Sequence, residues 1–243
     1  MKINKDNLIF GRNPVYEALS SEHVIKLYAV TGFSFPKITD LAKEKHIPLV
    51  YISPKEMSQI CSGAHQGIIG ETKGYHYYSL EEIITFSSKE TNPIILLLDG
   101  IEDPHNLGAI LRSADVFKVS GVIIPKHSSV SLNATVAKTS AGAINYVPVC
   151  MVNNLNNAIS KLKENGYWVV SSDGSAKIDY QDLAYDFKVA LVIGSEGKGV
   201  SRLVVSNSDY VVKIPMFGSV NSLNASVAAG VLLANIRKNY GKG

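Results

Sequence analysis

Three stretches of the chain place polar and glycine residues where strands are expected to end. The first runs from Asp99 through Asn106, Gly108 and Arg112 to Asp115. Asn106 is of a type that caps helices. Leu107, Ile110, Leu111 and Ala114 recur at i, i+3, i+4 and i+7, the apolar face of a helix. At about 100° per residue, Arg112 falls roughly 140° from Leu107, on the exposed side above Gly108 and His105. A guanidinium beside a glycine that leaves room can meet a ligand. The plain alternative is an ion pair from Arg112 to Asp115 with Asn106 as a simple cap. In the second stretch, an apolar strand runs into Gly194, Glu196, Gly197, Gly199 and Ser201. Glycines let a backbone turn tightly and approach a ligand. An ordinary strand-to-helix turn is the alternative, although Glu196 is an odd choice for one. The third stretch runs from Ile214 and Met216 through Gly218 to Ser222, Leu223, Asn224 and Ser226. Ser222 can cap the helix that follows, and such a helix start offers free N–H groups to negative charge. Capping combined with tight packing of Ala228, Ala229 and Gly230 would equally account for this pattern.

Several chemistries are excluded. The glycines do not follow the GxxxxGK[ST] order of a phosphate-binding loop. They also miss the dinucleotide fingerprint, because Arg202 stands where its third glycine would fall. With that fingerprint absent, a nucleotide-binding oxidoreductase is disfavoured. No GxSxG nucleophile elbow is present. His105 and His127 lack ligand-spaced partners, so no metal is expected.

The elements that would position these residues form a βα series. Strands are expected over 94–99, 121–124, 167–171, 189–194 and 210–214. Helices are expected over 106–117, 134–141, 154–165, 201–207 and 222–238. Continuous apolar strands between helices indicate a mostly parallel sheet covered on both faces, whose ligands lie beyond the carboxyl ends of the strands. The first part reads as a smaller α/β domain, with helices over 13–20, 35–46 and 54–62 and strands over 24–30, 48–52 and 67–74. Ser53 and Pro54 give the third of these helices its start. Expected boundaries are 1–75 for the small domain, 76–91 for a linker and 92–243 for the large domain.

Composition limits the setting. There are 24 basic and 21 acidic residues, a net charge of +3. Residues 1–90 are balanced, and the surplus lies beyond them. That is mild for a nucleic-acid binder and decides no partner. Cys61 and Cys150 lie far apart without a CxxC pair, which suggests two reduced thiols, with a single bridge the alternative. No signal peptide is visible, and the longest apolar runs are strand-sized against the roughly 20 residues of a membrane span. A soluble, cytoplasmic protein is expected.

Together, DPHNLGAILRSAD (103–115), IGSEGKGVS (193–201) and IPMFGSVNSLNASVAAG (214–230) resemble the three signature motifs of the SpoU-type methyltransferases, of the SPOUT superfamily of knotted α/β enzymes. In addition, Ile9-Phe-Gly-Arg-Asn-Pro-Val15 and His65-Gln-Gly-Ile68 resemble the N-terminal RNA-binding domain of the 23S ribosomal RNA guanosine 2′-O-methyltransferases. The resemblance covers essentially the whole chain. Ala225 departs from it, where the family often carries a larger valine.

The resemblance implies a SPOUT-type domain with a deep trefoil knot, which sequence rules alone would not suggest. It implies S-adenosylmethionine as cofactor, held by Gly194, Ile214, Met216, Ser222 and Leu223. A homodimer is implied, with the site near the subunit interface and the C-terminal helix as a dimer element. The implied reaction is 2′-O-methylation of a guanosine in 23S ribosomal RNA, with the peptidyl-transferase P loop as its expected location. The implied catalytic set is Arg112, acting from the partner subunit, with Asn106, Glu196, Ser222 and Asn224. Arginine is effectively always protonated and is a poor base, so Arg112 is expected to stabilise developing negative charge. Alternatives are a tRNA or another rRNA site as target, or a non-catalytic RNA-binding ribosome-assembly protein.

Overall fold

The apolar runs of the second half become parallel strands because each is buried on both faces. The computed structural model describes residues 8–20, 22–61 and 65–240. It divides the chain into two compact units, 1–75 and 76–243.

In the first unit, strands β1 (Leu8–Phe10), β2 (Val24–Val30), β3 (Leu49–Ile52) and β4 (Ile68–Thr72) form a mixed sheet in the order β1-β4-β2-β3. Only β2 and β3 run parallel. Helix α1 (Arg12–Ser20) buries Val15, Ala18 and Leu19, and α2 (Pro36–Glu44) buries Ile38 and Ala42. Helix α3 (Pro54–Ile60) begins at Ser53, as its sequence indicates. The Ser53 hydroxyl accepts from the Glu56 N–H, and the Glu56 carboxylate accepts from the Ser53 N–H. Its expected last residue, Ser62, lies outside the described residues. Strand β1 was not expected, since three residues carry too little pattern and its evident partner, β4, is remote in sequence.

In the second unit, strands β5 (Ile94–Asp99), β6 (Gly121–Pro125), β7 (Val149–Val152), β8 (Tyr167–Ser172), β9 (Ile178–Asp179), β10 (Lys188–Gly194) and β11 (Tyr210–Lys213) form a parallel sheet in the order β7-β6-β5-β10-β8-β11-β9. The mostly parallel sheet with helices and a small N-terminal domain is the architecture expected. Strands β7 and β9 were not foreseen, being too short to show a period. Helix α4 (Leu80–Ser87) occupies the stretch read as a linker, within which the sequence also allows a short helix over 80–86. Its Leu80 and Ile83 sit in the core with Ile95, Leu97 and Ile123, so 76–91 belongs to the body of this unit. Cys61 and Cys150 are both buried and form no disulfide. No helix among the described residues is long and apolar enough to cross a membrane.

Helix α5 (Pro104–Val116) buries Leu107, Ile110, Leu111 and Ala114, the stripe read from the sequence. It starts earlier than expected. Asp103, not Asn106, is the cap: Asp103 Oδ1 accepts from the His105 N–H at 2.9 Å and Pro104 opens the helix. Gly108 leaves room for packing rather than for a ligand, since a Cβ there would overlap Thr139 of helix α6 (Ala134–Thr139). The remaining helices of this unit are α7 (Leu155–Glu164), α8 (Arg202–Ser206) and α9 (Ala225–Tyr240). Helix α9 lies along α5, and a Cβ on Gly230 would sit 3.8 Å from Ser113 Oγ.

The far ends of α5 and α9 are tied by Arg237. Its guanidinium donates to the carbonyls of Phe117, Lys118 and Asn92. The first two lie at the end of α5, where a helix C-terminus favours positive charge, and the third lies just ahead of β5. Arg237→Ala should lower unfolding stability by roughly 2 kcal/mol or more, because hydrogen bonds to charged groups contribute about 1.5–3 kcal/mol each. Denaturant melts of the two proteins would measure it, and an unchanged midpoint would remove the clamp.

Candidate active site

The carboxyl ends of β5, β10 and β11 carry the residues singled out above. Strands β5 and β10 pair in register with Gly194 beside Asp99. The loop after β10 folds back sharply: the Gly199 N–H donates to the Ser195 carbonyl at 2.9 Å. Gly197 and Gly199 hold left-handed φ angles of 85° and 65°, which favour glycine. Gly194 serves a different purpose. A Cβ there would collide with the backbone of Gly199 and Val200. Asp99 Oδ2 then accepts from the Ser201 N–H at 2.7 Å and pins the far end of the loop to β5.

These constraints shape a cavity of about 560 Å3. Gly194, Ile214, Met216, Ser222 and Leu223, all named from the sequence, line it together. So do Ser172, Asp173, Gly174 and Ser175 at the end of β8, which sequence reasoning passed over. The signal was available, because β8 was recognised and its carboxyl end obeys the same rule as the others. Asp173 Oδ1 accepts from the Ser175 hydroxyl at 2.6 Å and its N–H at 2.7 Å. These bonds hold the carboxyl below the usual aspartate range, so it is ionised.

Beside this cavity lies a smaller one of about 240 Å3, lined by Gly100, Glu102, Asp103 and Asn106 and sharing Ser195, Glu196 and Lys198 with the first. Asn224 joins the two segments flanking it. Its Nδ2 donates to Asn106 Oδ1 at 2.9 Å and, at a longer 3.4 Å, to Glu196 Oε2. Its Oδ1 accepts from the Ser226 N–H at 2.9 Å and the Ser226 hydroxyl at 2.6 Å. Asn224 therefore caps α9, and Ser222, three residues ahead of the helix, does not. Because Oδ1 faces a backbone donor, the orientation of this amide is fixed. Among the described residues, Asn106, whose oxygen is occupied, has no acceptor for its Nδ2, and Glu196 keeps an oxygen that accepts no hydrogen bond.

Arg112 stands apart. It is exposed, lines neither cavity, and has no ion pair or hydrogen bond among the described residues, Asp115 included. Of the small residues on α9, Ala228 lines the larger cavity and Ala229 is buried.

Comparison with known proteins agrees with this fold. The SpoU rRNA Methylase family matches residues 93–234, and the family described as RNA 2′-O ribose methyltransferase substrate binding matches residues 8–78. A Staphylococcus haemolyticus protein bearing the name TrmH family tRNA/rRNA methyltransferase is 44% identical over 237 residues, covering 96% of this chain and 95% of its own. A Bacillus subtilis protein of the same family name is 42% identical over 236 residues, covering 94% of each. The crystal structure of the SpoU methyltransferase AviRb from Streptomyces viridochromogenes, in complex with the cofactor AdoMet, superimposes with a TM-score of 0.66 at 22% identity, covering 97% of this chain and 91% of that one. The chain belongs to the SpoU methylase family.

The larger cavity suits AdoMet. Its size falls among small-molecule sites of roughly 300–1,000 Å3. Ile193, Ile214, Leu223 and Ala225 offer apolar surface to an adenine. The glycine loop offers backbone groups, and ionised Asp173 offers negative charge to a ligand bearing an ammonium and a sulfonium. Gly194→Ala should weaken AdoMet binding about tenfold or more, since overpacking costs about 1–3 kcal/mol and each 1.4 kcal/mol is tenfold. Titration calorimetry would read this against Gly218→Ala, where a Cβ meets nothing within 4 Å. Equal affinities would show that the loop does not form the site.

Proposed function

We propose that this protein transfers a methyl group from AdoMet to a ribose 2′-oxygen of RNA, with a guanosine of 23S ribosomal RNA as the target, in the cytoplasm. The observation that carries the reading is the Asn106–Asn224–Glu196 constellation set against the glycine-lined cavity. When bound, AdoMet supplies an electrophilic methyl whose departure leaves a neutral thioether. The work left to the protein is to place and activate a weakly nucleophilic hydroxyl. The free oxygen of Glu196 accepts from a ribose hydroxyl, and Asn106 Nδ2 donates to the sugar. Arg112 stabilises charge developing on the attacking oxygen, while the proton leaves to a phosphate oxygen or water. Ser222 and Leu223 hold the cofactor together with Gly194, Ile214 and Met216.

Because Arg112 is exposed and absent from its own chain's cavities, the reading places it in the site of a second copy. A homodimer through the methylase unit follows, and Val116 and Val227, 71% and 50% exposed on α5 and α9, supply apolar surface for it. A trefoil knot is part of the same proposal, supported by the match of residues 93–234 to the SpoU methylase family. Residues 1–75 are read as the RNA-binding domain and 92–243 as the knotted methyltransferase, which the family matches at 8–78 and 93–234 support.

Tritiated AdoMet incubated separately with unmodified 23S rRNA, 16S rRNA and tRNA tests the reaction and its target. Label on a 23S ribose oxygen is the expected result. Label on tRNA alone would keep the chemistry and reject the target; cofactor binding without label on any RNA would reject the reaction. Arg112→Ala should reduce transfer by more than about a hundredfold, the scale of losing one charge-stabilising group, with AdoMet affinity nearly unchanged. Turnover near wild type in that variant would remove its role.

A further inference from the structure

Among the described residues, Phe217 is the most exposed large apolar side chain, at 97%. It sits in the segment 214–224 that joins β11 to α9, and that segment carries no charged residue. Both ends of the segment line the larger cavity: Ile214 and Met216 ahead of Phe217, and Asn221, Ser222 and Leu223 beyond it. Phe217, Gly218, Ser219 and Val220 do not line it, so they form a tip on its rim. Val220 is 72% exposed. The four tip residues make no hydrogen bond among the described residues.

Packing within the chain accounts for neither apolar side chain. An exposed phenyl ring gains nothing from burial, and a turn is served as well by a polar residue. Nor does the tip suit a phosphate, since it holds no cation. Its apolar surface amounts to two side chains, whereas a stable protein interface buries about 1,200–2,000 Å2. A flat partner the size of one ring fits it better. An RNA substrate supplies that partner through its own covalent geometry. The base of a ribonucleotide hangs from C1′, the carbon next to C2′, whose oxygen takes the methyl. A ribose presented to the cavity therefore carries its base to the cavity's edge. Leaving a stacked strand costs that base its neighbours, and an aromatic side chain replaces them.

We infer that Phe217 is a substrate-positioning residue on whose ring the base of the target nucleotide stacks, with Val220 of the same tip adding apolar contact. The inference rests on methyl transfer to RNA as the reaction, and its test separates the two. Trp168 is the chain's single tryptophan, so Phe217→Trp adds one reporter of stacking that needs no methyl donor. Unmodified 23S rRNA and tRNA are added separately to the full chain. At least one of them should quench the emission of Phe217→Trp while wild-type emission stays constant. On that RNA, Phe217→Leu should lower kcat/KM for methyl transfer about tenfold, the scale of losing a stacking partner. AdoMet affinity and oligomeric state should stay at wild-type values, and Phe217→Tyr, which keeps the ring, should recover most of the loss. Absence of quenching by either RNA would overturn the stacking role. An emission shift that follows protein concentration without RNA would overturn it too, because a second copy of the chain would then cover the ring. So would a loss of AdoMet affinity in Phe217→Leu, which would make the ring a cofactor contact. Quenching with no label transferred by the wild type would support stacking and reject methyl transfer; label without quenching would reject stacking alone.

Discussion

The close approach of Gly194 to the backbone of Gly199 and Val200 is the constraint on which the rest of the site depends. Two backbone segments can touch this closely only where no side chain intervenes. The contact folds the loop after β10 against its own strand, and the Asp99–Ser201 bond locks the returning end. Glu196 is thereby held at the tip of a tight turn instead of on a free loop. From there it reaches Asn224, which in turn reaches Asn106. Three polar residues from distant parts of the chain converge because one glycine lets a turn close.

Much of this was legible in the sequence, for reasons that differ between elements. The apolar stripe of α5 and the continuous strands β5 and β10 reveal themselves by period, since burial selects residue type at each repeat. Short strands give no period, and β1, β7 and β9 become visible only through their partners. Helix starts were displaced in both α5 and α9, where several residues of capping type stand close together. Only the backbone decides between Asp103 and Asn106, or between Ser222 and Asn224. The roles of Gly108 and Gly194 were hidden for a related reason: a glycine in a sequence does not say what presses against it. Asp173 was missed because its strand end lacks glycine-rich or motif-like neighbours, although its position alone marked it.

Charge is spent sparingly in this molecule. Residues 1–75 carry 9 basic and 7 acidic residues, a net charge of only +2, so the first unit generates little long-range attraction for a polyanion. On the proposed function, recognition of RNA by that unit comes from discrete short-range contacts. In the methylase unit, the guanidinium of Arg237 is consumed by backbone carbonyls, whereas that of Arg112 is left unpaired among the described residues. The same side-chain type holds two helices together at one point and stays available at another, according to what its surroundings leave unsatisfied.

The bond from Asn224 to Asn106 spans 118 residues, and it sets an order in time. At a synthesis rate of about 5–20 residues per second, Asn106 emerges several seconds or more before its partner exists. Glu196 precedes Asn224 by 28 residues, so its loop emerges with no Asn224 to hold it and with the cavity still lacking the wall supplied by 214–225. Parallel pairing between remote strands adds further delay, since such contacts are slow to form. A chain still under synthesis therefore carries the residues of the site without the site, and competence arrives in a single late step, when α9 docks.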